Sequence, residues 1–420
     1  MNEEIAQKAL ACVADDELIR FTQDFIRINS VNPNLEAGSN EAEAVAYLAH
    51  VSRQAGLQVT VEEIAPCRPN LYCVLPGMED GIGLAFLGHT DTVPFLSMRD
   101  PLSAEIQDGY IWGRGGVDMK GGLAASLQAM IALARSGVRL RKGVALWAVI
   151  DEESEHRGAY ALEQGGFQAD ACIVTEPSDL RLLLGCKGTA PVRIVLEGAL
   201  AHGSTPWLGV NAIEKAARVI LALARLEPRS IYIPELDMRV QGSVNVGVIK
   251  GGTQYNNVAD SCSIFLDRRM APGETQASVL AEINQILETL AAEDPLFKAR
   301  AEISRPDWHW EPIIQRGLNP AYTPPGSPAV AALQESYRGL TGKDIALGYT
   351  HGYMDMDFTV NGLGIPTVNF GPGETAYSHT ANERLRIADL LVAARIYVLA
   401  ALEMTNFLPT RRDENGKVTH

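Results

Sequence analysis

The stretch Gly83–Pro94, GLAFLGHTDTVP, decides how the rest of the chain is read. A short apolar run ends abruptly on His89, and a carboxylate, Asp91, follows two residues later. An apolar run of this length bounded by turn residues reads as a buried strand. Polar groups just past the end of a buried strand suit an open α/β sheet, which binds ligands outside the carboxyl ends of its strands.

Similar runs recur at 57–62, 71–75, 83–88, 143–150 and 171–175, with helical patterns at 120–136 and 157–165. Residues 14–55 read as helical, with a capping signal at Ser39-Asn40-Glu41. Strands alternating with helices predict an α/β fold, a doubly wound mixed sheet with helices on both faces. The texture changes near residue 188. Strands at 189–197, 243–249, 260–269 and 299–304 then alternate with helices at 210–226 and 274–292. That is a smaller α+β unit close to a split β-α-β, ferredoxin-like arrangement. Residues 306–328, rich in Pro, Gly and Trp, read as a linker. A helix at 328–340, an apolar run at 365–370 and a helix at 386–404 resume the first texture. The division predicted is one domain over 1–187 and 305–420, with a second, 188–304, inserted. The closing TRRDENGKVTH is polar and reads as a frayed end.

Composition excludes several classes of partner. A net charge of −15 argues against nucleic acid and anionic membrane surfaces. No run approaches the roughly 18 apolar residues of a membrane span. MNEEIAQKAL has neither a basic n-region nor a long apolar stretch, so no secretory signal is expected. The six cysteines are scattered, without a Cys-x-x-Cys pair, which reads as reduced thiols in a cytoplasmic protein.

The chemistry lies at the predicted strand ends. His89 and Asp91 follow 83–88, and Asp118 sits in GRGGVDMKGG ahead of the 120–136 helix. Asp151-Glu152-Glu153 follow 143–150, Glu176 follows 171–175 in VTEP, and His379 lies in the late loop AYSHTANE. Imidazoles and carboxylates without a thiolate suit Zn²⁺, Mn²⁺ or Co²⁺. If Asp118 bridges two ions, with His89 and Glu176 on one and Glu153 and His379 on the other, each ion has three protein ligands and an open position. Glu152 is spare in that count and suits proton transfer. Asp91 is also spare, and from i+2 it can hold the second nitrogen of His89. Each residue alone has a plainer reading: a histidine after a strand is usually a satisfied polar group, and a Glu-Glu pair usually faces water. The co-occurrence of five ligand-type groups at strand ends carries the inference.

GHTDTVP, GRGGVDMKGG, DEES, VTEP, AHGSTPWLGVNAI and GPGETAYSHTANE resemble, in order and spacing, the M20 metallopeptidase family, the group of acetylornithine deacetylase, succinyl-diaminopimelate desuccinylase, aminoacylase-1 and carboxypeptidase G2. The resemblance runs from about residue 15 to 405. It implies two divalent metal ions, usually zinc, held by His89, Asp118 (bridging), Glu153, Glu176 and His379, with Glu152 as general base and Asp91 behind His89. It also implies a cis peptide at Asp118-Met119 and a lid domain through which the protein forms a homodimer. His202 resembles a histidine that polarises the scissile carbonyl. Asn245 and Arg269 resemble binders of a substrate carboxylate, with a surface ion pair as the plainer reading of Arg269. Lys187 stands where some relatives have a substrate-contacting Arg, and Gly352 and Asp355 in HGYMDMD resemble a pocket-lining loop. The implied activity is hydrolysis of the amide of a small N-acyl amino compound. Alternatives are a di- or carboxypeptidase, or release of ammonia or a formyl group from a substituted ring. The sequence departs from the family pattern at Glu155-His156 and at Ala259. Trp207 and the Trp308/Trp310 pair are read as pocket-shaping residues or as hinge packing.

Overall fold

The structure is a computed structural model that describes residues 3–305 and 309–405. Trp308 and the polar closing stretch lie outside the described residues. The chain divides into two compact units. The first comprises the described residues up to Gly185, Tyr322–Tyr349 and those from Met354 on; the second is Cys186–Ala321 with Thr350–Tyr353.

The first unit is built on a nine-stranded mixed sheet. Its order is Gln58–Ala65, Arg68–Leu75, Gly143–Val149, Ile82–His89, Cys172–Val174, Thr367–Asn369, Leu182–Cys186 and Ala321–Tyr322, with Leu347–Thr350 also pairing Leu182–Cys186. The central pairs are parallel and place His89 level with Val149 and Leu87 level with Val174. Strands buried on both faces read as continuous apolar runs, and Gly143–Val149 is buried throughout.

Register shows the double winding. Cys73, Leu146 and Phe86 are Cα partners, so they share a face. There the Cys73 thiol lies 3.2 Å from the Ser52 hydroxyl of the Ala42–Gln54 helix, and Phe86 packs on Tyr397 of the Ile387–Met404 helix, ring centroids 5.0 Å apart. Tyr72 and Trp147 point to the opposite face and pack on Phe167, just beyond the Arg157–Gln164 helix.

The long helical reading of 14–55 is interrupted. Helices Asp15–Arg27 and Ala42–Gln54 flank a turn segment in which Val31 bridges to Thr92. Asn40 Oδ1 accepts from Ala42 N at 2.9 Å in a turn just ahead of the second helix, whose N-cap, Glu41, makes no side-chain cap bond. A small sheet, Glu105–Gln107, Tyr110–Trp112 and Arg384–Arg386, joins segments more than 270 residues apart and gave no sequence signal.

The second unit has a four-stranded antiparallel sheet in the order Ser243–Gly251, Ser261–Met270, Gly188–Glu197, Lys298–Ile303. Burial alternates strictly along Gly188–Glu197, as in a half-buried strand. Val192, Ile194, Leu196, Ile264 and Leu266 form its core with Val219, Ile283 and Leu287 of helices Ala212–Leu223 and Gln276–Glu293. Asn211 caps the first helix, and Thr275 with Ser278 forms a capping box on the second. Apart from an added hairpin, Ser230–Ile233 with Met238–Gln241, the chain order β-α-β-β-α-β with this strand order is the ferredoxin-like topology. The stretch read as a linker carries the helix Glu311–Arg316, which belongs to this unit, so the unit extends past residue 304.

Candidate active site

The parallel strands stop together, and the side chains following them converge. His89, at the end of its strand, is 1 % exposed. Its Nε2 lies 3.2 Å from both Asp118 Oδ1 and Glu176 Oε1. The other Asp118 oxygen, Oδ2, is 3.2 Å from His379 Nε2, which is 3.1 Å from Glu153 Oε1. Asp118 therefore presents one oxygen to each of two clusters: His89, Asp118 and Glu176, and Asp118, Glu153 and His379. Within each, the candidate ligand atoms lie within 4.8 Å of one another. Glu152 forms a further group with His89 and Glu153.

Local backbone geometry sets these positions. The Asp118-Met119 peptide is cis. Asp151 (φ 71°), His156 (φ 54°) and His379 (φ 60°) are left-handed, uncommon for residues other than glycine. Gly122 lets the Gly121–Ser136 helix approach the Thr175 carbonyl; a Cβ there would lie 1.9 Å from that oxygen.

Asp91 faces the second nitrogen of His89 with both its main chain and its carboxylate. His89 Nδ1 is held by the Asp91 main-chain carbonyl at 2.9 Å, while the nearest Asp91 carboxylate oxygen is 3.5 Å away. The carboxylate also accepts from Glu152 N at 3.2 Å, Glu153 N at 3.1 Å and Asn32 Nδ2 at 2.7 Å. It fixes the turn that carries the two glutamates while its Oδ1 also faces the His89 ring.

Sequence reasoning missed a second layer. Asp151 accepts from Arg68 at 2.8 Å, Asn32 at 2.9 Å and Asn34 at 3.1 Å, and Arg68 also pairs with Glu41 through a 2.9 Å Nε bond. Glu383 pairs with Arg114 and accepts from Val117 N at 3.1 Å and Asp118 N at 3.3 Å. Glu383 ends the quoted AYSHTANE and Asp151 begins the Asp-Glu-Glu run, so both stood in view without a partner to name.

Electrostatics show an excess of acid. Burial opposes ionisation of Asp118, but hydrogen bonds from His379 and His89 hold its pKa far below the usual range. Burial, reinforced by the Asp118 charge, pushes Glu176 up to about 8. Burial also raises Glu153, and lifts Glu152 well above normal, with His89 opposing the rise and Asp355, Glu176 and Glu153 adding to it. Hydrogen bonds to Asp118 and Glu153 push His379 up to about 11. Four carboxylates around two imidazoles, with no thiolate, form a donor set suited to borderline or hard divalent cations.

The other candidates lie in the second unit. His202 is exposed, its Nδ1 2.7 Å from the Ser204 hydroxyl. Asn245 is the Cα partner of Asp267, and Arg269 Nε donates to Asp267 at 2.9 Å, the ion pair weighed as its plainer reading. Lys187 is buried, and burial together with Arg269 and Arg268 lowers its pKa. Gly352 N donates to Thr350 Oγ1 at 3.2 Å. Trp207 is 75 % exposed.

Comparison with known proteins agrees with this geometry. The chain is 27 % identical over 399 residues to the N-formyl-4-amino-5-aminomethyl-2-methylpyrimidine deformylase of Halalkalibacterium halodurans, covering 90 % of this chain and 91 % of that one. It is 30 % identical over 375 residues to the acetylornithine deacetylase of Edwardsiella ictaluri, covering 87 % and 91 %. The crystal structure of aminopeptidase PepT from Bacillus cereus superposes with a TM-score of 0.75 at 25 % identity, covering 94 % and 100 %. The sequence profile of peptidase family M20/M25/M40 matches residues 85–403, a span that holds all five strand-end ligand candidates and Glu152, and the chain belongs to that family.

Proposed function

We propose that the protein is a metal-dependent amidohydrolase that removes the acyl group from a small N-acyl amino acid or related amine. The supporting observation is the pair of clusters sharing Asp118, with Glu152 beside them. His89, Glu176 and Asp118 on one side and Glu153, His379 and Asp118 on the other would hold two divalent cations, zinc above cobalt or manganese, which supply Lewis acidity at the amide oxygen. Glu152 takes a proton from the attacking water as its oxygen bonds to the acyl carbon. It then returns that proton to the amine nitrogen as the C–N bond breaks. Asp91 and Asn32 hold the turn that aims Glu152.

By family resemblance, His202 donates to the developing oxyanion, and Asn245 and Arg269 receive a substrate carboxylate, with Lys187 and Gly352 lining the substrate. Arg269→Ala then raises KM for N-acyl amino acids but not for N-acyl amines lacking the carboxylate. In the second unit, Ser243–Gly251 is an edge strand with Val248 and Ile249 exposed. An unpaired edge of this kind supports a homodimer formed by that lid unit, and a monomeric mass by light scattering refutes it. No described helix is long and apolar enough to cross a membrane. Six unbridged cysteines support a cytoplasmic location.

The test is a panel of N-acyl amino acids, dipeptides and N-formyl aminopyrimidines, run on chelated and on metal-reloaded protein. Hydrolysis of N-acyl amino acids that needs about two metal equivalents, and that Glu152→Gln lowers by orders of magnitude while retaining metal, supports the proposal. Near-normal turnover in that variant removes Glu152 from the mechanism. The likeness to the pyrimidine deformylase favours ring N-formyl compounds as the second reading. Preference for them over acyl amino acids would decide for it.

A further inference from the structure

One titratable pair beside Glu152 is unused by the mechanism above. His156 Nδ1 lies 2.9 Å from Asp355 Oδ1, and both side chains are almost wholly buried. Glu152, His156 and Asp355 each offer an atom within 4.8 Å of the other two. The three belong to the first unit, on the loops that follow Gly143–Val149 and Leu347–Thr350.

Glu152 needs such a neighbour. Asp91 fixes its backbone, but among the described residues its carboxylate takes no hydrogen bond. A proton-transferring group that swings freely loses rate, because misplacement by about 1 Å costs on the order of 100-fold.

His156 is held firmly enough to provide the restraint. Its left-handed backbone at φ 54° is uncommon for this residue. Its N–H donates to the Asp151 carbonyl at 2.6 Å, and its ring packs against Phe358 at 6.0 Å. Asp355 is committed to the ring through Oδ1, and its buried Oδ2 has no hydrogen-bond partner among the described residues. A spacing of up to 4.8 Å is what one ordered water or a small rotation spans.

We propose that His156, fixed by Asp355, is a positioning residue that holds the Glu152 carboxylate in its proton-transferring orientation. This rests on Glu152 being the proton carrier. The pair acts as a unit: Asp355 orients the ring, and the ring restrains Glu152.

The experiment uses the metal-loaded full chain and the best substrate from the panel. It measures kcat, KM, metal content and Tm for wild type, Glu152→Gln, His156→Ala, His156→Gln, Asp355→Asn and the His156→Ala/Asp355→Asn double variant. The expected result is a kcat about 10- to 100-fold lower in His156→Ala and in Asp355→Asn, with KM within about two-fold and two metals retained. His156→Gln recovers part of the loss. The double variant is no worse than either single one, since residues acting as a unit are not additive. Unchanged kcat in either single variant, losses that multiply, or loss of bound metal overturns the proposal. If His156→Ala does not fold, Asp355→Asn and His156→Gln decide alone. An active Glu152→Gln refutes the reading of Glu152 itself and is a separate outcome.

Discussion

Replacing Gly122 by alanine tests how closely the site depends on one backbone approach. The added Cβ would lie 1.9 Å from the Thr175 carbonyl oxygen, and ordinary contact begins at 3.4 Å, a shortfall of about 1.5 Å. The atom met is main chain in a turn directly after a central strand, so no side-chain rotation relieves it. Either the start of the Gly121–Ser136 helix or the Thr175–Glu176 turn must move. The first carries the loop of Asp118 and the second carries Glu176, so both routes separate His89, Asp118 and Glu176, now 3.2 Å from one another through His89 Nε2. Overpacking of this kind costs about 1–3 kcal/mol, and a displacement near 1 Å costs catalysis on the order of 100-fold. The variant should fold with a lower Tm, bind metal more weakly in an equilibrium titration, and lose kcat/KM by about two orders of magnitude. Wild-type metal affinity and kcat/KM together would refute the claim that this contact sets the site.

Two further predictions concern groups away from the reacting atoms. Glu383→Gln removes the charge opposite Arg114, which is 1 % exposed and has Nε and Nη2 without partners among the described residues. The loss should be about 3–5 kcal/mol, read as a large drop in Tm, and an unchanged Tm contradicts it. Burial pushes the Cys73 thiol up to about 11 from 9, with the Ser52 hydroxyl pulling the other way. The unfolded thiol therefore loses its proton first. Stability from this group is complete below pH 9 and is lost as pH rises from 9 to 11, by on the order of 2–3 kcal/mol. Denaturant titrations of wild type and Cys73→Ala across that range should converge on the alkaline side, and parallel curves would disprove the assignment.

The sequence spoke most clearly where chemistry and periodicity coincide. The apolar run 83–88 and the residues after it marked both a strand and a site, because parallel neighbours present their ends at one edge. The four strands and two helices read between residues 189 and 304 lie within a few residues of the observed ones, whereas the hairpin Ser230–Ile233 with Met238–Gln241 was not read. Elsewhere local signals were insufficient. Tyr110–Trp112 pairs with Arg384–Arg386, a partnership no local window contains. The break between Arg27 and Ala42 holds the local breakers Pro33 and Gly38, which the helical reading passed over, and Val31 bridges there to Thr92. Both the i+2 spacing and the family resemblance set Asp91 behind His89. Spacing cannot show that Glu152 N, Glu153 N and Asn32 Nδ2 would share its carboxylate.

Taken alone, the order of residues determined which groups could act: two imidazoles, the acids at strand ends, and the glycines that permit tight turns. Tertiary structure decided which of them meet. Register between parallel strands set His89 level with Val149, and packing brought His379 within 3.1 Å of Glu153 across 226 positions. It also supplied Arg68, Glu383 and Asp355, whose roles exist only through partners distant in the chain. The physical reason is that propensity and residue chemistry act over a few neighbours, whereas burial, charge pairing and hydrogen-bond competition depend on every segment that folds into the same space.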